Sequence, residues 1–108
     1  MAGFLCAYIT CRDAEEAKKI SRALVEKKLA ACANIIPEIS SIYRWKGEIH
    51  DEKEALIFAK TTAENRQKII ETVKGLHSYD TPAILFYRIE EGSADYLKWI
   101  REESGAGE

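Results

Sequence analysis

The chain has 108 residues, 46% hydrophobic and 31% charged, with 16 lysines and arginines against 18 aspartates and glutamates and a formal net charge of −2. That length and balance suit one domain, 1–108, with a single modest core, and the near-neutral charge excludes an electrostatic hold on nucleic acid or on an anionic membrane. No apolar run approaches the roughly 20 residues that cross a bilayer, no basic leader opens the chain, and the odd set Cys6, Cys11 and Cys32 reads as reduced thiols, so a cytoplasmic protein is expected.

Phe4 to Thr10 is apolar on both faces, as expected of a central, covered strand. Asp13 followed by Glu16 is a capping signature, and Ala14, Ala17, Ile20, Ala23 and Leu24 form the apolar stripe of a first helix that ends near Lys27-Lys28. From Leu29 to Thr61 the pattern is that of two long strands folded back about Lys46-Gly47, with Gly47 supplying the turn. A two-residue loop there sets Trp45 opposite Glu48, Tyr43 opposite His50 and, barring bulges, Ile36 opposite Ile57. Pro37 cannot donate to a ladder and marks a bulge or an edge position.

Arms of about fifteen residues at about 3.3 Å each span roughly 50 Å, whereas a compact chain of this size is roughly 34 Å across. The hairpin is therefore expected to overhang its own domain, leaving Ile42, Tyr43, Trp45 and Ile49 as an exposed apolar patch that calls for a partner copy. The alternative is a hairpin bent back over its own core. Thr61-Thr62-Ala63-Glu64 reads as another capping box before a helix with Ile69, Ile70, Val73 and Leu76 buried, closed by Gly75 and the 78–82 segment. Ala83 to Ile89 is a short strand, Ser93 caps a last helix with Tyr96, Leu97 and Ile100 inward, and a polar tail begins at about Glu102. The order is that of an α+β, ferredoxin-like βαββαβ sandwich with a long central β-hairpin and an extra C-terminal helix, its helices on one face of a sheet whose helix-joined strands can pair in parallel.

For chemistry, the soft or borderline metal donors are the three cysteines, His50 and His77, with Asp51, Glu52, Glu54 and Asp80 as hard donors, and no pair has metal-motif spacing. His77, just past a helix end, reads either as a ligand or as a histidine satisfying orphan helix carbonyls. Cys11, at a strand-to-helix turn, is the exposable thiol whose pKa a helix N-terminus would lower; Cys6 and Cys32 read as small buried strand residues. Tyr43 and Trp45 suit an oligomer interface better than a stacking platform, and Lys60 and Arg66 could neutralise an anionic ligand. No Ser-His-Asp set, phosphate loop or acid/base pair stands out, so no enzyme is expected.

The runs Lys28 to Pro37, Ser41 to Gly47, Lys60-Thr61, Leu76 to Pro82 and Tyr96 to Ile100 together closely resemble the CutA divalent-cation tolerance family over nearly the whole chain. The resemblance implies a tight homotrimer in which hairpins of neighbouring subunits extend each other's sheets, as in PII signalling proteins, and a role in tolerance of divalent metals, copper (Cu²⁺) above all. It aligns the family's histidine with His77 and its second-strand cysteine with Cys32, giving a metal set of His77, Asp80, Cys11 and Cys32 and an interface of Ile42, Tyr43, Trp45, Ile49 and Trp99. The chain departs from the family where Ser78 replaces a frequent Pro and Ala83 a frequent Glu, and the first-strand thiol of some members falls near Ile9. Two functions follow: a metal-binding or metal-responsive trimer, or a PII-like small-molecule sensor or adaptor whose inter-subunit cleft holds an anion near Lys60, Arg66 and Tyr79. No nucleic-acid or membrane partner is expected of either.

Overall fold

A computed structural model describes residues 3–105. Its elements are β1 (Phe4–Cys11), α1 (Ala14–Glu26), β2 (Cys32–Trp45), β3 (Glu48–Thr62), a 3₁₀ turn (Ala63–Asn65), α2 (Arg66–Leu76), β4 (Ile84–Ile89) and α3 (Ala94–Glu103). The four strands form one sheet in the order β2-β3-β1-β4, and each neighbouring pair is antiparallel. The expected parallel pairing does not occur, because β3 lies between β1 and β2, and β1 lies between β3 and β4. Each helix thus joins parallel strands with an antiparallel one inserted, which is the split βαβ of the ferredoxin-like plan.

Alternation along the strands sorts the side chains. Ala7, Ile9, Ala55, Ile57 and Ala59 are fully buried with Ile20, Leu24, Ile69 and Val73 of α1 and α2. The opposite face of β1 is apolar too, yet Phe4, Cys6 and Tyr8 remain partly exposed, so this central strand is covered on one side only. Across that open face Tyr8 meets Phe58 at 5.9 Å and Tyr87 at 6.0 Å, both edge-on. The expectation of helices on one face holds for α1 and α2 but not for α3. Its Tyr96 hydroxyl lies 3.7 Å from Cys32 Sγ and its Arg101 sits 4.7 Å over the Phe4 ring, both on the open face.

Lys46 (φ 51) and Gly47 (φ 83) make the hairpin turn, the left-handed pair that matches strand twist. Trp45 faces Glu48 and Tyr43 faces His50 as expected, but the register slips by one between Ile36 and Ile39. Pro37 and Glu38 together oppose Ala55, so Ile36 lands opposite Leu56 on the open face and Ile35 takes the core place opposite Ile57. The long dimension is 44 Å against 26 and 22 Å, and Ile42 is 72% and Ile49 67% exposed. The hairpin overhangs rather than bending back.

Two helix boundaries differ from expectation. Thr62 makes no capping bond, and Thr61 is engaged elsewhere: its hydroxyl donates to Leu29 O at 2.5 Å and accepts from Asn65 Nδ2 at 3.3 Å. As far as it is described the polar tail is not loose: α3 runs to Glu103, Ser104 is buried, and its carbonyl accepts from Asn65 Nδ2 at 2.7 Å, while 106–108 lie outside the described residues. In α3 only Ile100 is fully buried, while Tyr96 and Trp99 stay exposed.

Candidate functional site

Where β1 turns into α1, the N-cap Asp13 carboxylate accepts the Glu16 N–H at 2.9 Å, and Glu16 Oε1 accepts from the N–H of Arg12, one residue before the cap, at 2.8 Å, a box shifted by one residue. The sequence pattern foretold that box but not the second half of Glu16's work. Its other oxygen accepts Ser78 N–H at 2.8 Å, tying the 77–80 turn to the start of α1. Burial pushes the Glu16 carboxyl up, but the bonds from Arg12 and Ser78 outweigh it and leave the group below the ordinary glutamate range.

Next to it, the side chain of His77 has no exposure. Its Nδ1 accepts Tyr79 N–H at 3.1 Å, and its Nε2–H donates to Thr10 O at 2.7 Å. The ring thus satisfies a carbonyl of β1, not the orphan carbonyls of α2. Cys11, Glu16 and His77 bring one donor atom each within 4.8 Å of one another, a grouping that looks like a metal centre or a Cys-His-acid triad. Its chemistry is closed on three counts. Both ring nitrogens are occupied, Glu16 is held by backbone N–H groups, and Cys11 is fully buried with its thiol pushed up to about 12 by burial and by the nearby Glu16, Glu54 and Asp13 carboxylates. Cys11 is therefore the least available of the thiols rather than an exposable, acidified one, because full burial and the carboxylates around it oppose the thiolate that a helix N-terminus would favour.

The remaining metal candidates lie elsewhere. Cys32 is opposite Lys60 and Cys11 opposite Ala55 on β3, five residues apart or about 16 Å along the strand. Cys32 Sγ sits 3.8 Å from Lys60 Nζ, and Lys60 also reaches Asn34 Oδ1; an ammonium beside the sulfur disfavours a second cation there. Cys6 and Cys32 are half-exposed rather than buried. Asp80 is exposed, with no partner for its carboxylate among the described residues.

Between the open face, the hairpin and the 79–83 segment lies a pocket of about 530 Å³. Tyr8, Tyr43, Trp45 and Tyr79 wall it and Glu52, Glu54 and Asp80 edge it, with no basic side chain in its lining. Tyr43 donates to Glu52 at 2.7 Å and Tyr79 to Glu54 at 2.8 Å. The bond to Glu52 raises the Tyr43 phenol's pKa, and burial followed by the Glu54 bond raises that of Tyr79. Of the residues expected to hold an anion, only Tyr79 belongs to this pocket. Lys60 lies six residues beyond Glu54 on β3 and Arg66 opens α2, so the chain does not gather them. Glu52 and Glu54, read from the sequence only as possible hard donors, join Tyr43 and Tyr79 here, and the two-residue turn, which sets Ser41 opposite Glu52 and Tyr43 opposite His50, already places them on the face of Tyr43.

The family model for the CutA1 divalent ion tolerance protein matches residues 5–103. The divalent-cation tolerance protein CutA of Thermus thermophilus is 47% identical over 90% of this chain and 94% of its own length. The human protein CutA is 41% identical over 89% of the chain, which spans 54% of that relative's length. The solved Thermus thermophilus divalent cation tolerance protein superposes with a TM-score of 0.92 at 45% identity, covering 94% of this chain and 99% of that one. The periplasmic divalent cation tolerance protein CutA of Archaeoglobus fulgidus does so at 0.89 and 41%, covering 96% and 99%. With four strands, three helices and the long hairpin shared along almost the full length, the chain belongs to the CutA1 divalent ion tolerance family.

Proposed function

We propose that the chain works as a non-catalytic homotrimer in the response to divalent cations. The observation that carries the trimer is the uncovered apolar surface: Ile42, Trp45 and Ile49 on the overhanging tip, with Tyr87, Leu85 and Trp99 exposed around the open face. A lone chain would leave this surface in water, and a copy that lays its own hairpin against it removes the cost. The names of the relatives support divalent-cation tolerance. Copper coordination by the expected set is not favoured by the geometry, since Cys11 and His77 are closed and Cys32 is paired with Lys60; Asp80 is the accessible donor. The closed state of the Cys11, Glu16 and His77 group also supports a role without catalysis. Three unpaired cysteines favour a reducing, cytoplasmic compartment.

The test is calorimetric titration of the reduced protein with Cu²⁺ and Zn²⁺, with mass in solution measured on the same samples. A trimer whose metal binding is unchanged in His77→Gln and weakened in Asp80→Asn is expected. A stable monomer would overturn the assembly, and a trimer that loses one site per chain in His77→Gln would place the metal at the buried group after all. A second reading, a small-molecule sensor using the cleft beside the hairpin, is favoured by one observation, the 530 Å³ pocket, which falls within the size range of ligand sites.

A further inference from the structure

The sheet narrows to a two-stranded ribbon at one level. β1 accompanies β3 only as far as the pair Cys11 and Ala55, and beyond it residues 39–54 have no strands but each other as neighbours. The bulge falls at the same place, with Pro37 and Glu38 opposite Ala55, and a bulge bends its strand and adds twist. A free ribbon of two strands is only marginally ordered in water, and this one stands on a bend. Glu54 lies about 23 Å from the turn at about 3.3 Å per residue, so a swing of about 10° at the root carries the tip about 4 Å, nearly the spacing of about 4.8 Å between paired strands.

One bond holds the root. The Tyr79 hydroxyl donates to Glu54 Oε2 at 2.8 Å. Among the described residues no other side-chain hydrogen bond, ion pair or ring contact joins residues 38–54 to the rest of the chain, since those of Tyr43, His50, Glu52 and Lys53 stay within the hairpin. The donor is itself anchored: Tyr79 N–H bonds to His77 Nδ1 at 3.1 Å and Ser78 N–H to Glu16 Oε2 at 2.8 Å, and both acceptor side chains are buried. Resting on the trimer proposed above, we infer that Tyr79 is a positioning residue for the interface, its bond to Glu54 fixing the aim of the hairpin before a second copy of the chain meets it. A surface ordered in advance loses less freedom on binding, so the tip presents Ile42, Trp45 and Ile49 at a lower cost to assembly.

Mass in solution across a dilution series tests it, with Tyr79→Phe, Glu54→Ala and the double variant beside the native chain. Each single change should raise the concentration at which the trimer dissociates about tenfold, the scale of one lost bond to a charged group. The double change should add little to either, because both remove the same bond. Backbone amide order parameters separate aiming from contact. Measured in an Ile42→Asp background, chosen to keep the chain monomeric, they should fall over residues 40–52 from about 0.85 towards about 0.6 on Tyr79→Phe, with the helices unchanged. Unaltered dissociation, additive losses, or weaker assembly with unaltered order, which would make Tyr79 a direct contact with the copy, would overturn the inference. A native chain that stays monomeric breaks the trimer instead; the order parameters then decide by themselves, a loss supporting Tyr79 as the anchor of the hairpin and no loss overturning it.

Discussion

Along β1, Ala7, Ile9 and Cys11 lie beneath α1 and α2, while Cys6 and Tyr8, one step away on the same strand, look out from the other side of the sheet. The two faces share a backbone and are both apolar, so hydrophobicity does not distinguish them. Cover does. On the helix side small or branched side chains such as Ala7, Ile9 and Ile57 reach full burial; on the open side the rings Tyr8, Phe58 and Tyr87 stay partly exposed and meet edge-on. Small residues such as Ala7, Ala55 and Ala59 let helices approach closely, whereas rings such as Tyr8, Phe58 and Tyr87 offer large contact area to whatever arrives later. One face holds the chain together, and the other is the surface we propose for its copies.

The largest expected effect separates these roles directly. Ile57, fully buried under the helices, should cost about 2–5 kcal/mol when cut to Ala, because the cavity cannot collapse. Ile42→Ala removes a similar side chain at a 72% exposed position and should leave the unfolding midpoint of the dissociated chain nearly unchanged while weakening assembly. Denaturant unfolding at two protein concentrations reads both. A concentration-independent loss at Ile42 would erase the distinction between the faces.

A smaller contrast lies within the charged groups. Glu16 is buried and held by two backbone N–H groups, while Glu52 and Asp80 are exposed at the pocket mouth. Because the folded chain holds the Glu16 pKa below the ordinary value of about 4.3, its contribution is complete above that pH and is lost as pH falls through the folded value. Thermal unfolding followed from pH 6 down to pH 3 should show a steeper acid loss in the native chain than in Glu16→Gln, with Asp80→Asn close to native. If Glu16→Gln keeps the full acid dependence, the buried carboxylate is not the group that titrates.

What the sequence reveals follows the range over which each feature is decided. The Asp13 to Glu16 cap, the Lys46-Gly47 turn and the overhang of the hairpin are settled by neighbours or by counting, and all three are legible. The one-residue slip at Pro37 is half legible: the proline announces an irregularity, but whether β2 gains a residue depends on packing against β3. The His77 ring is different. Its partners, Thr10 O and Tyr79 N–H, join residues 67 apart with residues two apart, and no spacing rule reports that a histidine near a helix end is spent on another strand's carbonyl. The low reactivity of Cys11 was missed for the same reason, since its environment comes from Glu16 on α1 and Glu54 on β3.

The smallest effect, and the one with opposite signs, comes from two glycines that meet open space. A Cβ added at Gly75, near the end of α2, or at Gly47, at the hairpin turn, would touch nothing within 4 Å, so packing cannot decide either case and backbone conformation must. Gly75 lies within a helix, where alanine is favoured over glycine by about 0.5–1 kcal/mol because the unfolded chain loses less freedom. Gly47 sits at φ 83, where a Cβ crowds the following carbonyl at a cost of about 1–2 kcal/mol. Gly75→Ala should therefore raise the unfolding midpoint and Gly47→Ala lower it. The Gly47 change should also be felt in assembly, because a distorted turn re-aims Trp45 and Ile49, while Gly75→Ala on the helix-covered side should leave mass in solution untouched. Shifts of the same sign would mean that the turn relaxes to a form tolerating a side chain, and the tip would then be a weaker surface for a neighbouring copy than its exposed side chains suggest.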